Sequence, residues 1–185
     1  MEPLQRVEGP VTVLDRADVD TDQIIPKQFL KLTERRGFSK YLFYDWAKEP
    51  GWDLPKSPIL ATGRNFGCGS SREQAAWALA EYGFRVLVAS SFGDIFYSNC
   101  TKNGVLPVVL DERSVERVMT AGAASVDLPS QQLEVHGERL GFEIAPEIKE
   151  HLLTGADEIQ LTLEKLARIE EFERLHPSPR FEVIR

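Results

Sequence analysis

The amino-acid sequence predicts an α/β fold: a central, mostly parallel sheet with crossover helices, plus a small antiparallel patch. Three observations lead there. Residues 84–89 and 105–110 are short β-branched runs, and the segments before and between them, 71–82 and about 94–102, have helical character and stop at Gly83 and Gly104. Strands alternating with helices in this way are βαβ units, whose crossovers make the strands run parallel. Beyond residue 124 the pattern changes: 125–128, 132–135 and 139–144 alternate at period two, with a hairpin turn at His136-Gly137-Glu138.

In chain order, 11–14 and 58–61 are the first predicted strands, and a glycine-rich loop lies between the second of them and helix 71–82. That loop therefore sits at a strand's carboxyl end, where open α/β sheets present ligand sites. Pro107 has no amide to donate, so its strand belongs at an edge or pairs through its other side. Proline opens a short helix over 146–153, a charged amphipathic helix spans 162–175, and 176–185 is an extended tail. Within 28–54, Arg35-Arg36-Gly37 interrupts the aromatics Phe38, Tyr41, Phe43, Tyr44, Trp46 and Trp52; these read as core or interface, and the segment as the mobile part of the chain. One domain over 1–185, without internal repeats, is the expectation, and it is long enough to bury its own core.

Composition narrows the function classes. A net charge of −7, with no Lys/Arg stripe, argues against nucleic acid as a partner. The longest apolar runs fall far short of the ~20 residues that a bilayer span needs. The first residues, Met-Glu-Pro-Leu-Gln, contain no apolar signal core, so the expected location is cytoplasmic, with no membrane association. Two cysteines, Cys68 and Cys100, and three histidines, His136, His151 and His176, match no zinc spacing, and no metal site is legible.

The densest signal is the run Gly63-Arg64-Asn65-Phe66-Gly67-Cys68-Gly69-Ser70-Ser71-Arg72-Glu73 ahead of a helix. Glycines, hydroxyls and an arginine at a helix start form an anion site, stabilising a carboxylate or an alkoxide. The same residues also satisfy a capping box, with Ser70 accepting from a first-turn amide and Glu73 reaching back. Walker and dinucleotide patterns both fail: no lysine follows Gly67 or Gly69, and Arg72 stands where a third glycine belongs. Cys68 is either a turn residue or, with Arg64 and Arg72 nearby, a nucleophile of lowered pKa, although no histidine in the loop can act as its base. Cys100, in an apolar helical stretch, reads as core.

Asp20-Thr21-Asp22-Gln23-Ile24-Ile25-Pro26, the run from Asn65 to Glu73, and Ser91-Phe92-Gly93-Asp94-Ile95-Phe96 with Asn99 together resemble the small subunits of 3-isopropylmalate dehydratase, in the aconitase superfamily. Gly104-Val-Leu-Pro-Val108 and 155–163 continue the likeness, which runs from about Asp15 to about Glu173. The resemblance implies an aconitase-type swivelling β/β/α domain and a hydro-lyase subunit that interconverts 2-isopropylmalate and 3-isopropylmalate through isopropylmaleate in leucine biosynthesis. It implies a small dicarboxylic hydroxy acid as substrate and a large subunit carrying a [4Fe–4S] cluster, because such a cluster needs at least three thiolates and this chain has two cysteines.

By the same resemblance, Ser70 is the alkoxide base and Asp22 orients polar groups of the site, its plainer role being an Asx turn or helix cap. Arg72 offers a bidentate fork to a substrate carboxylate. Ser71 and Thr21 join it in substrate binding, while Phe29, Leu30, Lys31 and Leu32 belong to the loop that selects the substrate side chain. Gln74 and Ala76 stand where the family usually has His and Pro, and the stretch from Trp46 to Ile59 is short for it. Sister hydro-lyases acting on citraconate with 2-methylmalate, on homoaconitate or on dimethylmaleate therefore stay open, as does a catalytically silent anion-binding module.

Overall fold

The computed structural model describes residues 1–31, 36–155 and 166–176. The chain divides into two units, Met1–Gly155 and Ala156–Arg185.

The first unit is built on a seven-stranded sheet. Its strands are β1 (Arg6–Leu14), β2 (Ile59–Thr62), β3 (Val86–Ala89), β4 (Leu106–Val109), β5 (Ala123–Asp127), β6 (Gln132–Val135) and β7 (Glu138–Gly141), in the order β4-β3-β2-β1-β5-β6-β7. Strands β1 to β4 pair in parallel, and β5 to β7 continue the sheet in antiparallel fashion. The long strand β1 joins the two halves: Arg6–Pro10 pairs with β5 and Val11–Leu14 with β2. The antiparallel strands are thus the far half of the same sheet. Pro107 lies in β4 at the sheet edge, where its missing amide costs no ladder bond.

Strands β2 and β3 are buried at every position because both faces are covered, which is why they read as unbroken apolar runs. Alternate residues point to opposite cores. Leu60 and Leu87 pack under α2 (Glu73–Tyr82) and α3 (Asp94–Lys102), together with Ala75, Leu79, Phe96 and Cys100. Ile59, Ala61, Val86 and Val88 face α4 (Glu112–Ala121) and meet Val115 and Val118.

Helix α4 has no counterpart in the sequence reading. It is announced by Asp111, whose carboxylate accepts from the Ser114 amide at 3.0 Å, and by Gly122, left-handed at the C-cap. Helix α5 (Pro146–Thr154) opens on its proline as predicted.

The region between β1 and β2 holds one helical turn, α1 (Thr21–Ile24), and 3₁₀ turns at Lys27–Phe29, Ser39–Tyr41 and Trp46–Lys48. Of its aromatics, read as core or interface, Phe38 and Phe43 are fully buried in the core, with Trp46 and Trp52 partly buried around Phe43. The Arg16 guanidinium lies 4.1 Å above the Trp46 ring and closes this cluster from the sheet side. In the second unit the described element is α6 (Leu166–Leu175), which presents Phe172 and Leu175 to solvent. Residues 162–165 of the predicted amphipathic helix and 177–185 of the predicted tail lie outside the described residues.

Candidate functional site

Three loops leave the carboxyl ends of β1, β2 and β3 side by side, and backbone hydrogen bonds lace them together. Gly67 N donates to Val19 O at 2.8 Å, Thr21 N to Cys68 O at 3.0 Å, Phe66 N to Ser91 O at 3.1 Å and Gly93 N to Phe66 O at 3.0 Å. Asp20 bridges Cys68 and Phe66 bridges Phe92, so the parallel pairing continues past the strand ends. The glycines of the central loop serve this close packing. A Cβ on Gly67 would overlap the Phe96 ring, and one on Gly69, at φ +85°, would overlap the Asp20 carboxylate.

The capping-box reading of Ser70 does not hold. Helix α2 starts at Glu73, its N-cap is Arg72 in extended conformation, and no side chain caps it. Glu73 instead accepts from Asn103 Nδ2 at 3.2 Å. The helix-start amides accordingly begin two residues beyond Ser71, not at Ser71 itself. Ser70 and Ser71 are exposed, and the loop is held beneath them by the Thr21 hydroxyl, which donates to Ser70 O at 2.9 Å. Thr21 is buried, so it acts on the loop rather than on the solvent side of the site.

Arg72 is only 8% exposed and closes its fork on Asp22: Nη2 donates to Oδ2 at 2.9 Å, and Nη1 pairs with Oδ1. Lys27 Nζ lies 3.5 Å from the same Oδ2. Burial pushes the Asp22 carboxyl up, but the hydrogen bond and charge of Arg72, with Lys27 behind them, outweigh it and hold the group below the usual carboxylate range. Capping of α1 falls to Asp20, which accepts from the Asp22 amide at 2.7 Å and completes a capping box with Gln23. Asp22 is thereby left to Arg72. The Asp20…Gln23 spacing fits a capping box, a signal that the sequence reading left unused while offering the cap role to Asp22.

Similarity to known proteins fits this arrangement. Residues 47–113 match the aconitase C-terminal domain family. The chain is 49% identical to the 3-isopropylmalate dehydratase small subunit of Shouchella clausii, over 94% of this chain and 96% of that one. It is 50% identical to the protein of the same name from Halalkalibacterium halodurans, over 94% and 98%. The chain belongs to the family of 3-isopropylmalate dehydratase small subunits. A crystal structure of 3-isopropylmalate dehydratase from Methanocaldococcus jannaschii shares the fold, with a TM-score of 0.70 at 24% identity over 90% of this chain and 99% of that one.

Within this dehydratase small subunit, the structure speaks against the nucleophile alternative for Cys68 and in favour of the turn residue. Burial raises the Cys68 thiol, and the carboxylates of Asp20 and Asp18 raise it further. The arginines that the sequence offered as activators are engaged elsewhere, Arg64 with Asp18 and Arg72 with Asp22. Cys100 is fully buried in α3, and burial pushes it well above its ordinary value. With two cysteines so placed, the donor set does not fit an iron–sulfur cluster, and among the described residues no three His, Cys, Asp or Glu side chains are grouped to hold a metal ion. No helix among the described residues is long and apolar enough to cross a membrane. Of the selectivity-loop candidates, Leu30 is half-buried, Lys31 is exposed, and Leu32 lies outside the described residues.

Two features of the site were not read from the sequence. Lys27 backs Asp22, and Asn65, held in the left-handed region at φ 54°, donates from its side chain to Asp18 at 2.9 Å. Asn65 lies in a recognised run but its bond to Asp18 does not show there, and Lys27 carries no local motif, because each contact is made with a partner reached through the fold.

Proposed function

We propose that this chain, paired with a large subunit, interconverts 2-isopropylmalate and 3-isopropylmalate through isopropylmaleate, the hydro-lyase step of cytoplasmic leucine biosynthesis. The observation that carries this reading is the pairing of buried Arg72 with the half-buried Asp22 carboxylate behind the exposed Ser70 and Ser71, with the Thr21 hydroxyl bonded to Ser70 O. A hydroxy-dicarboxylate needs a bidentate cation for a carboxylate and a base beside it, and this corner offers both within one loop.

In this reading Ser70 Oγ, as the alkoxide, takes the proton from the carbon next to a carboxylate, while hydroxide leaves the neighbouring carbon to give isopropylmaleate. Returning hydroxide to the carbon that lost the proton, and the Ser70 proton to the carbon that lost the hydroxide, gives the isomer and restores the alkoxide. Arg72 orients the substrate carboxylate, exchanging it for Asp22, and Lys27 is placed to keep Asp22 paired during the exchange. Ser71 and the Leu30–Lys31 segment face the rest of the substrate. A [4Fe–4S] cluster on the large subunit would supply the Lewis acid.

The test is Ser70→Ala in the reconstituted two-subunit enzyme. Losing a group needed chiefly in the transition state should lower kcat by about 100-fold or more, with KM changing by less than about threefold. Near-normal turnover would remove Ser70 from the chemistry.

A further inference from the structure

Glu81 breaks a local rule. It sits in the last turn of α2, where the helix dipole disfavours a carboxylate. Its partners are three consecutive backbone amides: Gly37 N at 3.0 Å, Phe38 N at 2.7 Å and Ser39 N at 3.1 Å from Oε2, with Gly37 N also 3.1 Å from Oε1. These amides form the entrance to the 3₁₀ turn Ser39–Tyr41, and Phe38 is fully buried beside Trp77 of α2, ring centres 5.6 Å apart.

Phe29 packs against the same turn. Phe29 stacks on Tyr41, with ring centres 3.8 Å apart and planes inclined by 11°, and meets the edge of Tyr44 at 4.7 Å. Leu30 and Lys31 follow Phe29 directly. The Ser39–Tyr41 turn is therefore the platform on which Phe29 rests, and Glu81 joins that platform to α2, whose N-terminus carries Arg72.

We propose that Glu81 is a positioning residue for substrate selection, its carboxylate clamp on the 37–39 amides fixing the place of Leu30 and Lys31 relative to Arg72. The proposal rests on the reading that these residues face the substrate side chain. Hydrogen bonds to a charged group are the strong kind, and three of them converge on one carboxylate.

The experiment uses the reconstituted two-subunit enzyme with Glu81→Ala, Glu81→Gln and Leu30→Ala. It compares kcat and KM on 2-isopropylmalate and 2-methylmalate, and follows hydrogen exchange at 37–39 and along α2. Glu81→Ala should lower the isopropyl-to-methyl ratio of kcat/KM by roughly tenfold, the scale of one charge-assisted hydrogen bond, mainly through KM and with kcat within about twofold. Exchange should quicken at 37–39 and not in α2. Glu81→Gln keeps a neutral acceptor oxygen, so it should fold in any case and fall between, with a ratio lowered about threefold. An unchanged ratio in Glu81→Gln, or in a folded Glu81→Ala, overturns the proposal. If Leu30→Ala shifts the ratio while the Glu81 variants do not, the loop reading stands and Glu81 is only structural. If Leu30→Ala does not shift it either, the loop reading fails and the proposal falls with it.

Discussion

Arg72 and Asp22 lie 50 positions apart in the chain, yet each explains the other. A guanidinium buried to this degree needs a carboxylate, and the planar fork matches both oxygens. Arg72→Lys replaces two parallel bonds with one point charge, so KM should rise about tenfold while the chain still folds; an unchanged KM would take Arg72 out of substrate binding. The same change acts on Asp22. Its pKa is lowered in the folded state, so the pairing stabilises the fold above the unfolded pKa and is lost as pH falls through the lowered one. Weakening the pair should move the acid limb of stability and of kcat/KM to higher pH in Arg72→Lys, which urea melts and rate profiles across the acid range would show. The sequence made Ser70 and Arg72 visible as residue types in a loop. Asp22 was named as well, but its pairing with Arg72 was not visible, because nothing local marks a contact that only the folded chain creates.

At the scale of elements, the glycine loop is where sequence pattern and physical cause diverge. Glycines ahead of a helix suggested room for an anion, whereas Gly67 and Gly69 admit Phe96 and Asp20 of this same chain. Gly67→Ala should therefore cost about 1–3 kcal/mol by overpacking, with some further strain at φ +74°, and lower the thermal midpoint by several degrees. A midpoint within a degree of the parent would mean that Phe96 yields freely. Strands β2 and β3 were legible because burial on both faces leaves a pure apolar run. Only residues 11–14 of β1 were read, since Glu8, Gly9 and Pro10 break the pattern in the stretch that pairs with β5. Helix α4 was missed although Val115, Val118 and Met119 carry helical spacing and Asp111 and Gly122 mark its ends.

For the whole molecule, the sheet sets the proposed catalytic corner at one end, where the β1, β2 and β3 loops meet and Ser70 and Ser71 are exposed. Exposure decides what the chain can do alone. A serine hydroxyl in water holds its proton far too tightly to act as a base, and only fixed donors in a water-excluded site make its oxyanion accessible. The donors of α2 begin beyond Ser71, so they do not surround Ser70 closely enough to achieve this in the open site. If Ser70 is the base, as proposed, a second surface must cover the corner before it can react. The isolated chain should therefore show native circular dichroism and cooperative melting, yet no measurable hydration or dehydration of isopropylmaleate and isopropylmalate. Adding a large subunit of the family should bring turnover that saturates with subunit concentration, as a shared site requires, and Ser70→Ala should abolish that gain without weakening the association. Turnover by the isolated chain at rates comparable to the mixture would show that its own loop suffices to activate the serine, and the split site would have to be abandoned.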